Sequence, residues 1–101
     1  ARLRGGVREL RNKLELLRAR KALDAARGGR LGPMYAGSCV FSLLEMLRIV
    51  LSGRAPLGEG LRLVDAYGRD PVVRAALRAF PLSVRRPALA LAVLALRLRF
   101  A

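Results

Sequence analysis

The sequence predicts an all-α chain of four to five irregularly connected helices. Apolar residues recur at spacings of three and four, the stripe of an amphipathic helix. Glycine and proline cut the chain into segments of helical length. No run alternates apolar and polar residues convincingly, so no strand is predicted.

The first helix is predicted over about Val7 to Arg27. Leu3, Val7, Leu10, Leu14 and Leu17 form its stripe, which Lys21 breaks. Leu16, Ala19, Leu23 and Ala26 form a second apolar strip on a different face. Glu9 and Lys13 stand in the favourable i, i+4 order. Gly28 and Gly29 stop the helix, with Arg27 near its negative end. A second helix is predicted over about Tyr35 to Leu51, closed by Ser52 and Gly53. The loop "RAPLGEG" leads to a short third helix, about Glu59 to Tyr67, with Gly68 as its stop. The fourth has Asp70 as N-cap and Pro71 at its first position, and Pro81 forces its end near Phe80. The last runs from about Pro87 to Arg99. "RDPVVRAAL" resembles the opening of a HEAT-repeat helix, but it occurs once and no repeat period is visible, so no solenoid is expected.

Charge divides the chain into zones. Residues 1–30 hold ten basic and three acidic side chains, residues 31–53 only Arg48 and Glu45, and residues 54–101 nine basic and three acidic. The expected organisation is a basic amphipathic helical arm over 1–30, then an apolar helical region over 31–101 with a basic C-terminal part. A net charge of +13 implies an anionic partner: nucleic acid, acidic lipid or an acidic protein surface. With 53% hydrophobic residues, the chain is not a disordered basic tail. Arginine outnumbers lysine heavily, but GC-rich coding explains that as well as phosphate recognition does.

The stretch "SCVFSLLEMLRIVLSG", residues 38–53, poses the main question. Met34 to Leu51 is 18 residues, about 27 Å of helix, close to the ~30 Å of a hydrocarbon core. Eight strongly apolar side chains there favour insertion by about 2.5–5 kcal/mol, whereas Glu45 and Arg48 oppose it by about 2.5–3.5 kcal/mol each. A free span is therefore disfavoured. A packed core helix is expected first, and a helix embedded in a membrane within a larger complex, over about 34–52, second. Glu45 and Arg48, three residues apart, are expected to form a buried ion pair.

Catalytic chemistry finds little support. The chain has no histidine, and its one cysteine, Cys39, lies in an apolar helix as a core residue. "AGSCVFS" departs from the G-x-S-x-G elbow at its second glycine. No enzyme activity, metal, cofactor or small-molecule substrate is expected. "RGGRLG", residues 27–32, reads as a helix stop and turn; it lacks the strand and the GK[ST] ending of a phosphate-binding loop. The basic residues expected to meet anionic lipid or phosphate are Arg2, Arg4, Arg8, Arg11, Arg18, Arg20, Lys21, Arg27, Arg30, Arg85 and Arg86.

The functional expectation is a non-catalytic accessory subunit of a large multi-protein assembly. Its partners are other protein subunits and anionic phospholipid. The expected setting is a respiratory-type complex of the mitochondrial inner membrane. A start at Ala1 fits loss of an initiator Met or of a targeting presequence. The alternative is a small organellar ribosomal protein in the matrix, its arginine-rich arms on rRNA. The chain offers no stacking platform for bases: aromatic residues make up 5% of it.

Overall fold

A computed structural model describes residues 2–29 and 32–100, with side chains described over 5–29 and 37–100. It consists of five helices: α1 (Arg2–Ala26), α2 (Gly32–Leu51), α3 (Leu57–Gly68), α4 (Pro71–Ala79) and α5 (Pro87–Arg99). No strand occurs among the described residues. The molecule measures 40 × 35 × 21 Å.

α2 lies at the centre and packs against each of the other four helices. Its buried line is Cys39, Val40, Leu43, Met46, Ile49 and Val50, one stripe at helical spacing. Of the alternatives weighed for residues 34–52, the packed one holds. The chain's own helices cover this stripe, and no helix among the described residues is long and apolar enough to cross a membrane. Cys39 is fully buried, as expected of a core residue.

α1 contributes its predicted stripe to the same core: Leu10, Leu14 and Leu17 are buried and Val7 packs against them. The residues of its second strip, Leu16, Ala19, Leu23 and Ala26, face solvent. Leu3 lies in α1, with its side chain outside the described set. The helix begins before Val7, passing through Gly5 and Gly6. Packing overrides propensity there, because only a residue without a side chain fits at Gly6. A Cβ on Gly6 would lie 1.9 Å from the Arg54 carbonyl oxygen.

The predicted stops divide into two kinds. After α1, Gly28 takes φ +79°, and Gly29 N–H donates back to the Asp24 carbonyl. After α2, Gly53 takes φ +78°, and Arg54 N–H donates to the Ile49 carbonyl. Both are left-handed glycine caps that satisfy carbonyls the helix leaves open. Gly68 is different. α3 does end there, as expected, but Gly68 is its last helical residue and takes no left-handed cap. The Phe100 ring lies over it, where a Cβ would come within 2.2 Å of Cε2. α3 instead gives way to α4 through Arg69, which keeps helical angles, and Asp70, which is extended.

Asp70 caps α4 as the sequence predicts: its Oδ1 accepts from Val72 N–H at 2.9 Å, and Pro71 follows at the first position. Its other oxygen takes Lys21 of α1. Asp70→Ala removes both contacts and is expected to cost about 1–2 kcal/mol. Asp70→Ser keeps a capping hydroxyl and is expected to recover more than half of that loss. Thermal melts of the two variants check the expectation, and equal losses would refute the role of the cap.

α5 is apolar all round, and the structure shows what that means. Val93, Leu96 and the following Phe100 are buried, while Leu91, Leu94 and Leu98 on the other side are exposed. Arg97 ties α5 to the end of α4, donating from Nε to the Leu77 carbonyl at 2.6 Å and from Nη2 to the Phe80 carbonyl. Arg74 of α4 returns the favour at the end of α5, donating to the Phe100 carbonyl at 2.9 Å. A cation at the open carbonyls of a helix end is favourable on charge grounds as well.

Candidate interaction surface

The basic residues singled out from the sequence do not form one site. Arg30 lies outside the described residues, and for Arg2 and Arg4 only the helical backbone at the start of α1 is described. Arg8, Arg11 and Arg18 are exposed and share one flank of α1, three and seven residues apart. Arg11 donates to Glu59 of α3 at 3.0 Å. The open cleft between the two helices there carries Arg8 and Arg11 but also Glu15 and Glu59, so its charge is mixed. Arg20 donates to the Ser38 hydroxyl of α2 at 3.0 Å at the surface, and Lys21 pairs with Asp70. Arg27 is exposed at the end of α1. Arg85 and Arg86 are exposed on the turn between α4 and α5, where both backbone N–H groups fold back onto Ser83.

Several charges therefore serve the fold. Glu9 pairs with Arg54, Glu59 with Arg11, Asp70 with Lys21, and Asp65 takes Arg99 through both oxygens at 2.8 and 3.0 Å. These pairs stitch α1 to the α2–α3 connection, to α3 and to α4, and α3 to α5.

Glu45 and Arg48 pair as expected, but the expectation of burial is corrected. Their side chains are 37% and 63% exposed. They lie off the buried stripe of α2, with Lys13 and Glu9 of α1 and Arg54 near enough to act on their charges. The hydrogen bond from Arg48 holds the Glu45 carboxyl below its usual range. With the folded value lowered, the contribution of the pair is complete above the ordinary carboxylate range. It is lost as pH falls through the lowered value. An exposed pair of this kind adds little to stability.

The interior offers one polar cluster. The buried Tyr67 hydroxyl hydrogen-bonds with the side chains of Ser42 and Cys39. Burial pushes both the Tyr67 phenol and the Cys39 thiol upward, so both stay protonated at neutral pH. A protonated thiol shut inside the core is unreactive. Maleimide is therefore expected to leave the native chain unlabelled and to modify it once urea unfolds it. Labelling at the same rate in both states would refute the burial of Cys39.

Apart from the second strip of α1, the sequence did not show which apolar residues face outward. Leu51 and Leu57 are exposed around the α2–α3 connection, Leu16 and Leu23 along α1, and Phe41 on α2 beside Phe80 in an edge-to-face contact at 5.5 Å. Leu82 and Val84 of the α4–α5 turn and Leu91, Leu94 and Leu98 of α5 are exposed as well, and all but Leu98 line one open groove. Val84 is 96% exposed and Leu98 81%. The spacing 91, 94, 98 marks a helical face, but a helix with no polar face gives no sign of which side turns outward. No group of metal-binding side chains occurs among the described residues. Comparison with protein-family models, curated proteins and solved structures finds no match for the chain.

Proposed function

We propose that this chain is a non-catalytic accessory subunit of a large assembly, held by other subunits and by acidic lipid. One observation carries the reading. Five helices already share one core, yet among the described residues ten large apolar side chains remain exposed on α1, α2, α3, α5 and the α4–α5 turn. Five of them, Leu82, Val84, Leu91, Leu94 and Leu98, fall together on α5 and the turn before it, and a contiguous exposed apolar surface marks an interaction site. The arginine surplus supports an anionic surface nearby. A respiratory-type complex of the mitochondrial inner membrane is the specific setting proposed, and charge is its support.

The test is native purification of the tagged chain with cross-linking and mass spectrometry of what accompanies it. The expected result is migration in a particle far larger than 11.0 kDa, with reproducible cross-links from α1 and α2 to other subunits. Recovery as a free monomer from its native source would overturn the reading. A second reading, a ribosomal protein, draws on the exposed flank of Arg8, Arg11 and Arg18. It requires sedimentation with ribosomes and a steep loss of RNA affinity with salt.

A further inference from the structure

We propose that α5 and the turn before it lie in the plane of an acidic lipid bilayer, with Leu91, Leu94 and Leu98 immersed and Val84 as the leading tip. The inference rests on the accessory-subunit reading for its membrane setting, and it assigns one particular face to lipid rather than to another subunit.

The argument begins with shape. Leu91, Leu94 and Leu98 form a continuous apolar line along a helix of 13 residues, about 20 Å. Leu82, Val84 and Pro87 extend it around the helix start, where they line an open apolar groove with Leu91 and Leu94. The opposite side of α5 is locked into the core by Val93, Leu96 and Phe100. The body of the protein thus takes the place of the polar face that an isolated interfacial helix would need.

Charge then selects the occupant. Residues 71–101 contain six arginines and no acidic side chain. Arg85 and Arg86 are exposed directly after Val84, while Arg99 at the other end of the helix is held by Asp65. The tip of the apolar line thus carries two cations, whose long stems let the charge reach headgroup phosphates while leucine enters the acyl region. A protein partner would be met by a rim of both signs and by hydrogen-bonding side chains. This face offers leucine, valine, proline, alanine and arginine, and its one hydroxyl, Ser83, accepts from the Arg85 backbone N–H. No helix among the described residues is long and apolar enough to cross a membrane, and none is required, because the contact is parallel to the surface.

The chain has no tryptophan, so Val84→Trp gives a single reporter at the tip. Vesicles of phosphatidylcholine with about one third phosphatidylserine are the probe. Pure phosphatidylcholine vesicles and inorganic phosphate are the other arms. The expected result is a blue shift of emission with the acidic vesicles alone. Ala19→Trp on the exposed face of α1 should show none. Arg85→Ser with Arg86→Ser should weaken vesicle affinity about 25-fold, at about 5-fold per arginine. Leu91→Asp with Leu98→Asp should abolish the shift while leaving the far-ultraviolet circular dichroism unchanged, since both sites face solvent.

An unshifted Val84→Trp overturns the inference, as does equal binding to neutral vesicles. So does self-association that protects Leu91 and Leu98, which would make a second copy the occupant. These results are separable from the fate of the accessory-subunit reading. A chain that enters its native assembly but ignores acidic vesicles loses only this face assignment. A chain that binds vesicles but purifies alone loses only the assembly.

Discussion

Replacing Gly6 by alanine is expected to lower the melting temperature by about 15 °C. An alanine methyl there would sit 1.9 Å from the Arg54 carbonyl oxygen and 2.5 Å from its carbon. Both atoms are backbone, so no side-chain rotation relieves the clash. α1 and the connection after α2 must move apart, straining the Glu9–Arg54 pair that bridges them. Overpacking of this severity costs about 3 kcal/mol. In a chain of this length, 1 kcal/mol corresponds to about 5 °C. Gly5→Ala is the control, because nothing lies within 4 Å of its added carbon. It should raise stability by about 0.5–1 kcal/mol through helix propensity alone. Thermal melts followed at 222 nm compare the two. Equal shifts, or shifts of the same sign, would mean that α1 does not pass against residue 54 as described.

Leu43→Ala is the second large effect, expected at about 3–4 kcal/mol. Leu43 is fully buried near the middle of the helix that touches all the others, so the vacated space is walled on every side. Such a loss is a large share of the roughly 5–15 kcal/mol that a domain possesses. Leu51→Ala, eight residues on in the same apolar run, should change stability by no more than about 0.5 kcal/mol, since its side chain is 73% exposed. Urea titration should show the midpoint of Leu43→Ala falling with an unchanged slope. A comparable effect at both positions would contradict the assignment of the buried face of α2.

The pair of glycines also shows where sequence reading stops. Propensity treats Gly5 and Gly6 alike, and both suggest a late helix start; the helix passes through them because a distant carbonyl needs the room at Gly6. Gly68 was legible as special but for the wrong reason, since the Phe100 ring that explains it comes from 32 residues away. Local chemistry was readable: the Asp70–Pro71 start, the glycine caps after α1 and α2, and the bounds of α5 depend on neighbours in sequence. The stripe of α1 was readable too, because polar residues mark its other faces. α2 and α5 have few such marks. That is why Glu45 and Arg48 were expected inside and found at the surface, and why the outward leucines of α5 went unassigned. The arginines were visible as charge, but their division between intramolecular pairing, as for Arg20, and open surface, as for Arg85, depends on what the other helices bring alongside.

The central position of α2 has a kinetic consequence. Its amides from Val40 to Val50 are screened by neighbours on several sides, so no single helix can detach and expose the whole segment. Deuterium uptake there should proceed only through complete opening of the chain, whereas the last turn of α1, beyond Lys21, should exchange through local fraying. Protection along the molecule would then form a gradient, slowest at its axis and fastest at its first turn connection.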